Sequence, residues 1–386
     1  MNVLVDEQSL KDIGDAIRGK YGNETKYKPR EMGAAITNIP SGGGDLPEEA
    51  LVISGNCNYR FTQGGWDWFI EEYGNRITTK DITVGTYMFW RSNLENIPFE
   101  LNCQLSKQTD INHIFYSMYN LTSVPKLNNC QVDSMNHMFN ECHNLRYLPE
   151  DIGDWFDWSY MEQMTSAYGG NRSYMFSRCY SLRSIPMDFL NHVNKLSIYS
   201  YSYFYSGFGY CLSLDELVNL PIPYTATWTN NTFNSSFDNC SRLKNLTFAM
   251  PDGNPYVVKW KNQTIDLTDN VGSVDSEFSI TNYNSGITKD KCVRTDEQYQ
   301  ALKNDPDWYS LTATGISAYS RYNHDSAVAT INSLPDTSAY LSTAGGTNTI
   351  KFKGAAGAKT DGGAINTLTA EEIAVATAKG WTLTFA

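Results

Sequence analysis

The chain has 386 residues, a formal net charge of −12 and no block of Lys and Arg, so it lacks the basic footprint that nucleic-acid binding through phosphates requires. No window approaches the roughly 18 uninterrupted apolar residues of a membrane span. The acidic start "MNVLVDEQSLKDIG" also lacks the basic and apolar regions of a secretory signal.

Aromatic residues make up 13% of the chain, with 25 Tyr and 9 Trp, which is high for an acidic protein. Eight cysteines occur with no CxxC pair. Spread over so long a chain, they predict reduced, buried thiols and no disulfide framework.

Residues 1–40 read as two short amphipathic helices. In the first, Ser9 can cap, and Leu10, Ile13 and Ile17 share one face. In the second, Pro29 sits at a tolerated first-turn position, and Met32, Ile36 and Ile39 form the stripe before Pro40 stops the helix. The glycine-rich stretch 41–47 is a flexible linker. Helices this short cannot bury their faces alone, so they are expected to dock on a partner or on sister chains. The pattern "LKDIGDAIRGKYGNETKYKPREMGAAITNI" resembles a short module of tail-fibre and other tail-associated proteins of phages and prophages. Residues 48–84 lie where an N-terminal cap of a repeat array belongs. There Trp66 and Trp68 either stack on sugar or, the favoured reading, cover the first repeat's apolar edge.

Residues 85–250 repeat. "IFYSMYNLTSVP" (114–125), "MFNECHNLRYLP" (138–149) and "MFSRCYSLRSIP" (175–186) share one frame: Phe, then Cys or Met at +3, Leu at +6 and an aliphatic residue at +9. "FGYCLSLDEL" (208–217) and "FDNCSRLKNL" (237–246) fit it, and "MFWRSNLENIP" (88–98) is a copy one residue short. The frame begins at Phe89, Phe115, Phe139, Phe176, Phe208 and Phe237, and such a period predicts a solenoid whose units bury their apolar sides against neighbours. Leu at +6 and the aliphatic at +9 predict a short strand stacking in parallel on the next. Cys142, Cys179, Cys211 and Cys240 share the +3 slot with Met118, which marks it as an apolar core position. The alternative, a zinc site from Cys130, His137, Cys142 and His143, has suitable ligand types but matches no ribbon or finger spacing.

The frame "MF..C..L..I" is similar to the BspA-type leucine-rich repeats, found in bacterial surface proteins and in phage or prophage proteins. The resemblance implies an α/β right-handed solenoid with short parallel strands, a recognition or adhesion role and no catalytic residues.

Between repeats, "KLSIYSYSYFYSGFGY" places Tyr199, Tyr201, Tyr203 and Tyr205 at alternate positions among serines. Phe204 falls in step with Met135 and is expected inside. No repeat position requires the tyrosines, and Tyr–Ser alternation is the chemistry of adaptable recognition loops, so they are the candidate binding residues. Some could instead cover a neighbouring coil.

Residues 251–386 follow a helix-then-strand rhythm. Thr295 with Gln298 and Thr369 with Glu372 form capping boxes. A middle copy runs from a helix at 325–334 to a strand at 348–353. Gly380 ends the last helix, and Trp381, Leu383 and Phe385 alternate along a closing strand that caps the array. The ending also resembles the terminal segment of phage-borne repeat proteins of this kind.

No nucleophile elbow, HExxH, P-loop or Rossmann fingerprint is present, although a carboxylate pair for glycan hydrolysis could assemble in three dimensions. The expectation is a non-enzymatic, cofactor-free phage tail fibre or receptor-binding protein of the virion. It would recognise a bacterial cell-surface glycan or protein, attach to other tail or baseplate proteins through residues 1–40 and, by resemblance, form a homotrimer. The alternatives are a bacterial cell-surface adhesin and a purely structural virion component.

Overall fold

The computed structural model describes residues 50–64, 66–104, 109–131, 135–158, 174–195, 206–221, 227–228, 233–240, 243, 245–249, 258–268, 319–320, 324–352, 359–360 and 368–385. The helices expected within 1–40, the linker at 41–47 and Tyr199, Tyr201, Tyr203 and Tyr205 lie outside these residues, as does the capping box of Thr295.

Strand β1 (Leu51–Asn56) pairs in parallel with β2 (Ile77–Val84), and helix α1 (Asp67–Tyr73) joins them. The turn after α1 passes close beneath Pro98. A Cβ on Gly74 would lie 2.3 Å from the Pro98 ring, so only glycine fits there. Asp67 ties this unit to the next, accepting from Ser92 Oγ at 2.6 Å and from the Asn93 amide at 3.0 Å.

The repeat frame is a column of rings. Phe89, Phe115, Phe139, Phe176, Phe208 and Phe237 are all buried, and consecutive rings stack with centroids 5.6–6.1 Å apart. Phe61 extends the column below Phe89, at 5.4 Å. The stack therefore begins inside the stretch read from sequence as a cap. Removing one such ring costs about 3–5 kcal/mol in typical cores. The residues at +6 and +9, from Leu121 and Val124 to Leu243 and Leu246, are buried as well.

The strands depart from expectation in the first units. Strands β3 (Leu101–Asn102) and β4 (Leu127–Asn128) pair in parallel, but they begin four residues beyond Ile97 and three beyond Val124, the aliphatic positions of their units. Pro98 and Pro125 follow the +9 residue in those units, and a proline cannot donate to a ladder. Where no proline intervenes, β5 (Glu216–Pro221) runs through +9; past the short β6 (Thr227–Trp228), so does its parallel partner β7 (Asn245–Ala249), with Leu217 opposite Leu246. In the long unit after Phe139, a 3₁₀ turn (Ile152–Trp155) packs against helix α2 (Met187–Lys195) of the following unit.

The cysteines need one correction. Cys103 and Cys130, 27 positions apart in sequence, form a disulfide with Cα atoms 5.3 Å apart. Cys103 directly follows β3 and Cys130 lies two residues past its partner β4, on the adjacent coil. Strand-like spacing brings such positions within bridging distance, which a count of intervening residues does not reveal. Cys57, Cys142, Cys179, Cys211 and Cys240 are free and buried, as expected.

Beyond the column, β8 (Lys259–Trp260) pairs with β6, and β9 (Thr264–Leu267) joins a later sheet. After β10 (Tyr319–Ser320) come α3 (His324–Ser333) and α4 (Ser338–Ala344), then β11 (Asn348–Phe352), β12 (Lys359–Thr360), α5 (Ala370–Ala378) and β13 (Trp381–Phe385). The parallel sheet runs β13-β11-β9, with β11 in the middle, and β10 pairs with β12. Thr369 and Glu372 form the expected capping box, and Gly380 follows α5 with φ +82°. Helix α3 closes over β7, where Thr330 Oγ1 donates to the Leu246 carbonyl at 2.5 Å. Asn348, fully buried, donates to the Trp260 carbonyl and accepts from the Gln263 amide, both at 3.0 Å, so burying its amide leaves no unmet demand.

Candidate binding face

Each turn of the column is built alike. The residues two before and two after every ring have φ between +50° and +64°: Tyr59 and Gln63 around Phe61, His113 and Ser117 around Phe115, Tyr174 and Arg178 around Phe176. For residues other than glycine this left-handed backbone costs about 1–2 kcal/mol each. Hydrogen bonds between coils offset that cost. The Glu141 amide donates to Ser177 O at 2.9 Å, Arg178 to Gly209 O at 2.7 Å and Tyr210 to Asp238 O at 2.7 Å. Val, Ile and Thr, whose branched Cβ fits this backbone worst, fill none of these positions.

The left-handed residue before each ring carries a side chain on the outer side of the turn, where neighbouring turns bring these groups face to face. Tyr59 stacks on Tyr87 at 4.9 Å, Tyr87 on His113 at 4.4 Å, His113 on His137 at 4.5 Å and His137 on Tyr174 at 4.6 Å. The result is a second column of rings alongside the phenylalanines. A third set occurs four residues after Phe115, Phe139 and Phe176, where His143 stacks on Tyr180 at 4.3 Å and lies 4.8 Å from Tyr119. Burial lowers both ladder histidines to a pKa of about 4, assisted at His137 by the charge on His113 and opposed at His113 by Asp110. Near neutral pH the ladder is therefore a run of uncharged rings.

Beside the ladder, Glu141 accepts from Ser117 Oγ and from Arg178 Nη1, both at 2.7 Å. The Arg178 guanidinium also sits over the Tyr210 ring at 5.9 Å. In the last two turns the ladder positions become Ser206 and Ser235. There the face opens into a groove of about 290 Å³ that runs from His137 and Tyr174 past Tyr210 to Asp238.

The tyrosines singled out from sequence, Tyr199, Tyr201, Tyr203 and Tyr205, lie outside the described residues. The paired tryptophans divide. Trp66 packs edge-on against Phe61 at 5.9 Å, covering the end of the column, whereas Trp68 is 42% exposed. The four residues weighed as a zinc set have separate roles: Cys130 is bridged, His137 and His143 are stacked, and Cys142 donates to the Phe115 carbonyl. Among the described residues no cluster of three or more His, Cys, Asp or Glu is arranged to hold a metal, and no helix is long and apolar enough to cross a membrane. Burial raises the thiols of Cys142, Cys179, Cys211 and Cys240, so at neutral pH they stay protonated and are poor nucleophiles.

Reading downstream from each Phe missed this face. Its signal was present two residues upstream, where Tyr, Tyr, His, His and Tyr precede five consecutive rings of the column. No family model, curated protein or solved structure matches this chain.

Proposed function

We propose that the protein is a leucine-rich-repeat solenoid of the BspA-like kind that works as a non-enzymatic receptor-binding protein of a phage tail, recognising a glycan or protein on a bacterial surface. The observation that carries this reading is a division of labour within each turn. The Phe, Cys and Leu positions largely keep their chemistry from unit to unit, while the left-handed positions beside each ring, buried at Ser117, Glu141 and Ser206 but partly or fully exposed elsewhere, vary among Tyr, His, Ser, Arg, Glu, Gln and Asn. A repeat surface whose outer residues change without disturbing the core is suited to recognition. On this reading residues 1–40 attach the protein to other tail or baseplate proteins and the assembled form is a homotrimer.

The test is adsorption of the full chain to candidate host cells, with and without residues 1–40. Binding kept by the truncated protein, together with loss of its incorporation into particles, supports both assignments. Absence of cell binding removes the receptor role and leaves a structural virion component.

A second reading, a bacterial cell-surface adhesin, is favoured by the Cys103–Cys130 disulfide, since such bridges persist in oxidising surroundings outside the cytosol. Co-purification with intact virions, as opposed to recovery in the bacterial surface fraction, separates the two.

A further inference from the structure

We propose that His324 is a proton-operated latch, whose charged imidazole fastens the first turn of α5 to the start of α3 and lets it slacken when the proton leaves. This goes beyond the recognition reading and does not depend on it. The placement of both ring nitrogens carries the inference. Nε2 lies 3.2 Å from Glu372 Oε2, 48 positions along the chain, and Nδ1 lies 3.4 Å from Asp325 Oδ1. Ionised carboxylate oxygens only accept, and a neutral imidazole has a single N–H to give. Only the imidazolium serves both partners at once.

The surroundings favour that form. His324 opens α3, and a cation at a helix N-terminus is ordinarily disfavoured. Here the bonds to Asp325 and Glu372 prevail over burial and hold the imidazole above its usual 6.5. Helix α3 packs against α5 and β7. The charged groups at α5 are Glu371, Glu372 and Lys379, while β7 has none of its own and its Asn245 bonds to Glu216 of β5. Among all of these and Asp325, only Glu372 and Asp325 reach the ring.

The two ends of α5 are held differently. At its C-terminal end, Lys379 Nζ donates to the carbonyls of Ile331 and Asn332 at 3.3 and 2.5 Å. The Lys379 carbonyl accepts the amide and the hydroxyl of Thr337, both at 2.9 Å. At the N-terminal end the polar tie to another element runs through His324. Glu372 Oε2 also accepts the Thr369 amide at 2.7 Å, so one oxygen both closes the capping box and takes the latch. Losing the proton removes the cation facing that oxygen and leaves the capping box in place. Because the folded pKa lies above the unfolded one, the latch is complete below about pH 6.5 and is lost as the pH rises through the folded value. The ladder histidines respond in the opposite sense, so the fall in pH that weakens the ladder tightens this closing unit.

The full chain is followed by NMR titration of His324 and by hydrogen exchange of the α5 amides at pH 6 and pH 8.5, corrected for intrinsic exchange. Low ionic strength is used, because the His324 and Glu372 side chains are 27% and 25% exposed and salt screens such a pair. His324 should titrate above pH 6.5, and the first turns of α5 should be about threefold or more better protected at pH 6 than at pH 8.5. Glu372→Gln keeps the capping box, which accepts Gln at that place, and removes the anion. It should lower the His324 midpoint and most of the pH dependence. His324→Gln should abolish the pH dependence, since an amide stays neutral throughout. A His324 midpoint at or below 6.5 in the parent overturns the latch. So does equal protection of the parent at the two pH values, or a pH dependence that survives His324→Gln. Protection lost equally at both pH values in His324→Gln makes the contact a structural one and overturns it too.

Discussion

The thiol of Cys179 donates a hydrogen bond to the main-chain carbonyl of Phe139, 3.0 Å away in the preceding turn. The same link recurs from Cys142 to Phe115 at 3.2 Å, from Cys211 to Phe176 at 3.0 Å and from Cys240 to Phe208 at 3.1 Å. The +3 cysteine is thus more than a small apolar filler. It stitches each turn to the one before it, at a carbonyl that already accepts the amide of its own turn's +3 residue.

That link gives a first prediction. Cys179→Ala removes both a buried donor and the volume of the sulfur, and should cost about 1–3 kcal/mol. Cys179→Ser is smaller but can still donate, so it should cost less than alanine. Denaturant unfolding measures both. Equal losses would mean that volume, and not the hydrogen bond, sets the preference for Cys.

The stacked histidines predict acid sensitivity. His113 and His137 have folded pKa values near 4, below the ordinary value of about 6.5. As the pH falls from about 6.5 towards 4, the unfolded chain takes up protons that the folded chain refuses. Their contribution to stability is therefore complete above about pH 6.5 and is lost progressively below it. The double variant His113→Phe and His137→Phe keeps the rings and removes the titration. Its Tm should fall less steeply between pH 6.5 and 4 than that of the parent, and an unchanged slope would contradict the assignment.

The disulfide should stabilise mainly by restricting the unfolded chain. For a loop of 27 residues this amounts to about 3–4 kcal/mol. Thermal melts with and without a reductant, or of Cys103→Ala with Cys130→Ala, should show a lower Tm when the bridge is absent. Peptide mapping without reduction should recover Cys103 and Cys130 in one linked fragment.

The left-handed positions can be tested at Asn239, where φ is +55°. Asn239→Gly should be neutral or stabilising by up to about 1 kcal/mol, because glycine adopts this backbone without a Cβ clash. Asn239→Val should cost more than about 1 kcal/mol, since a β-branched side chain fits it worst. Equal stability of the two variants would show that the turn relaxes when substituted.

The spacing of Phe, Cys and Leu by itself determined the core of this protein. A ring at every turn and an aliphatic residue six and nine places on must be buried wherever the chain coils, because burying apolar area depends on residue type and period. The capping box at Thr369 and the closing strand at Trp381–Phe385 were legible for the same reason, being local chemistry within a few residues. Tertiary structure alone decided what lies between turns. The Cys103–Cys130 bridge, the thiol-to-carbonyl links and the ladder from Tyr59 to Tyr174 join residues about 24 to 40 positions apart. Units of unequal length hide such pairs from any count along the sequence. Stacking of the coils at a constant spacing brings them into contact, and the same stacking turns Ser206 and Ser235 from unremarked small residues into part of the lining of a groove.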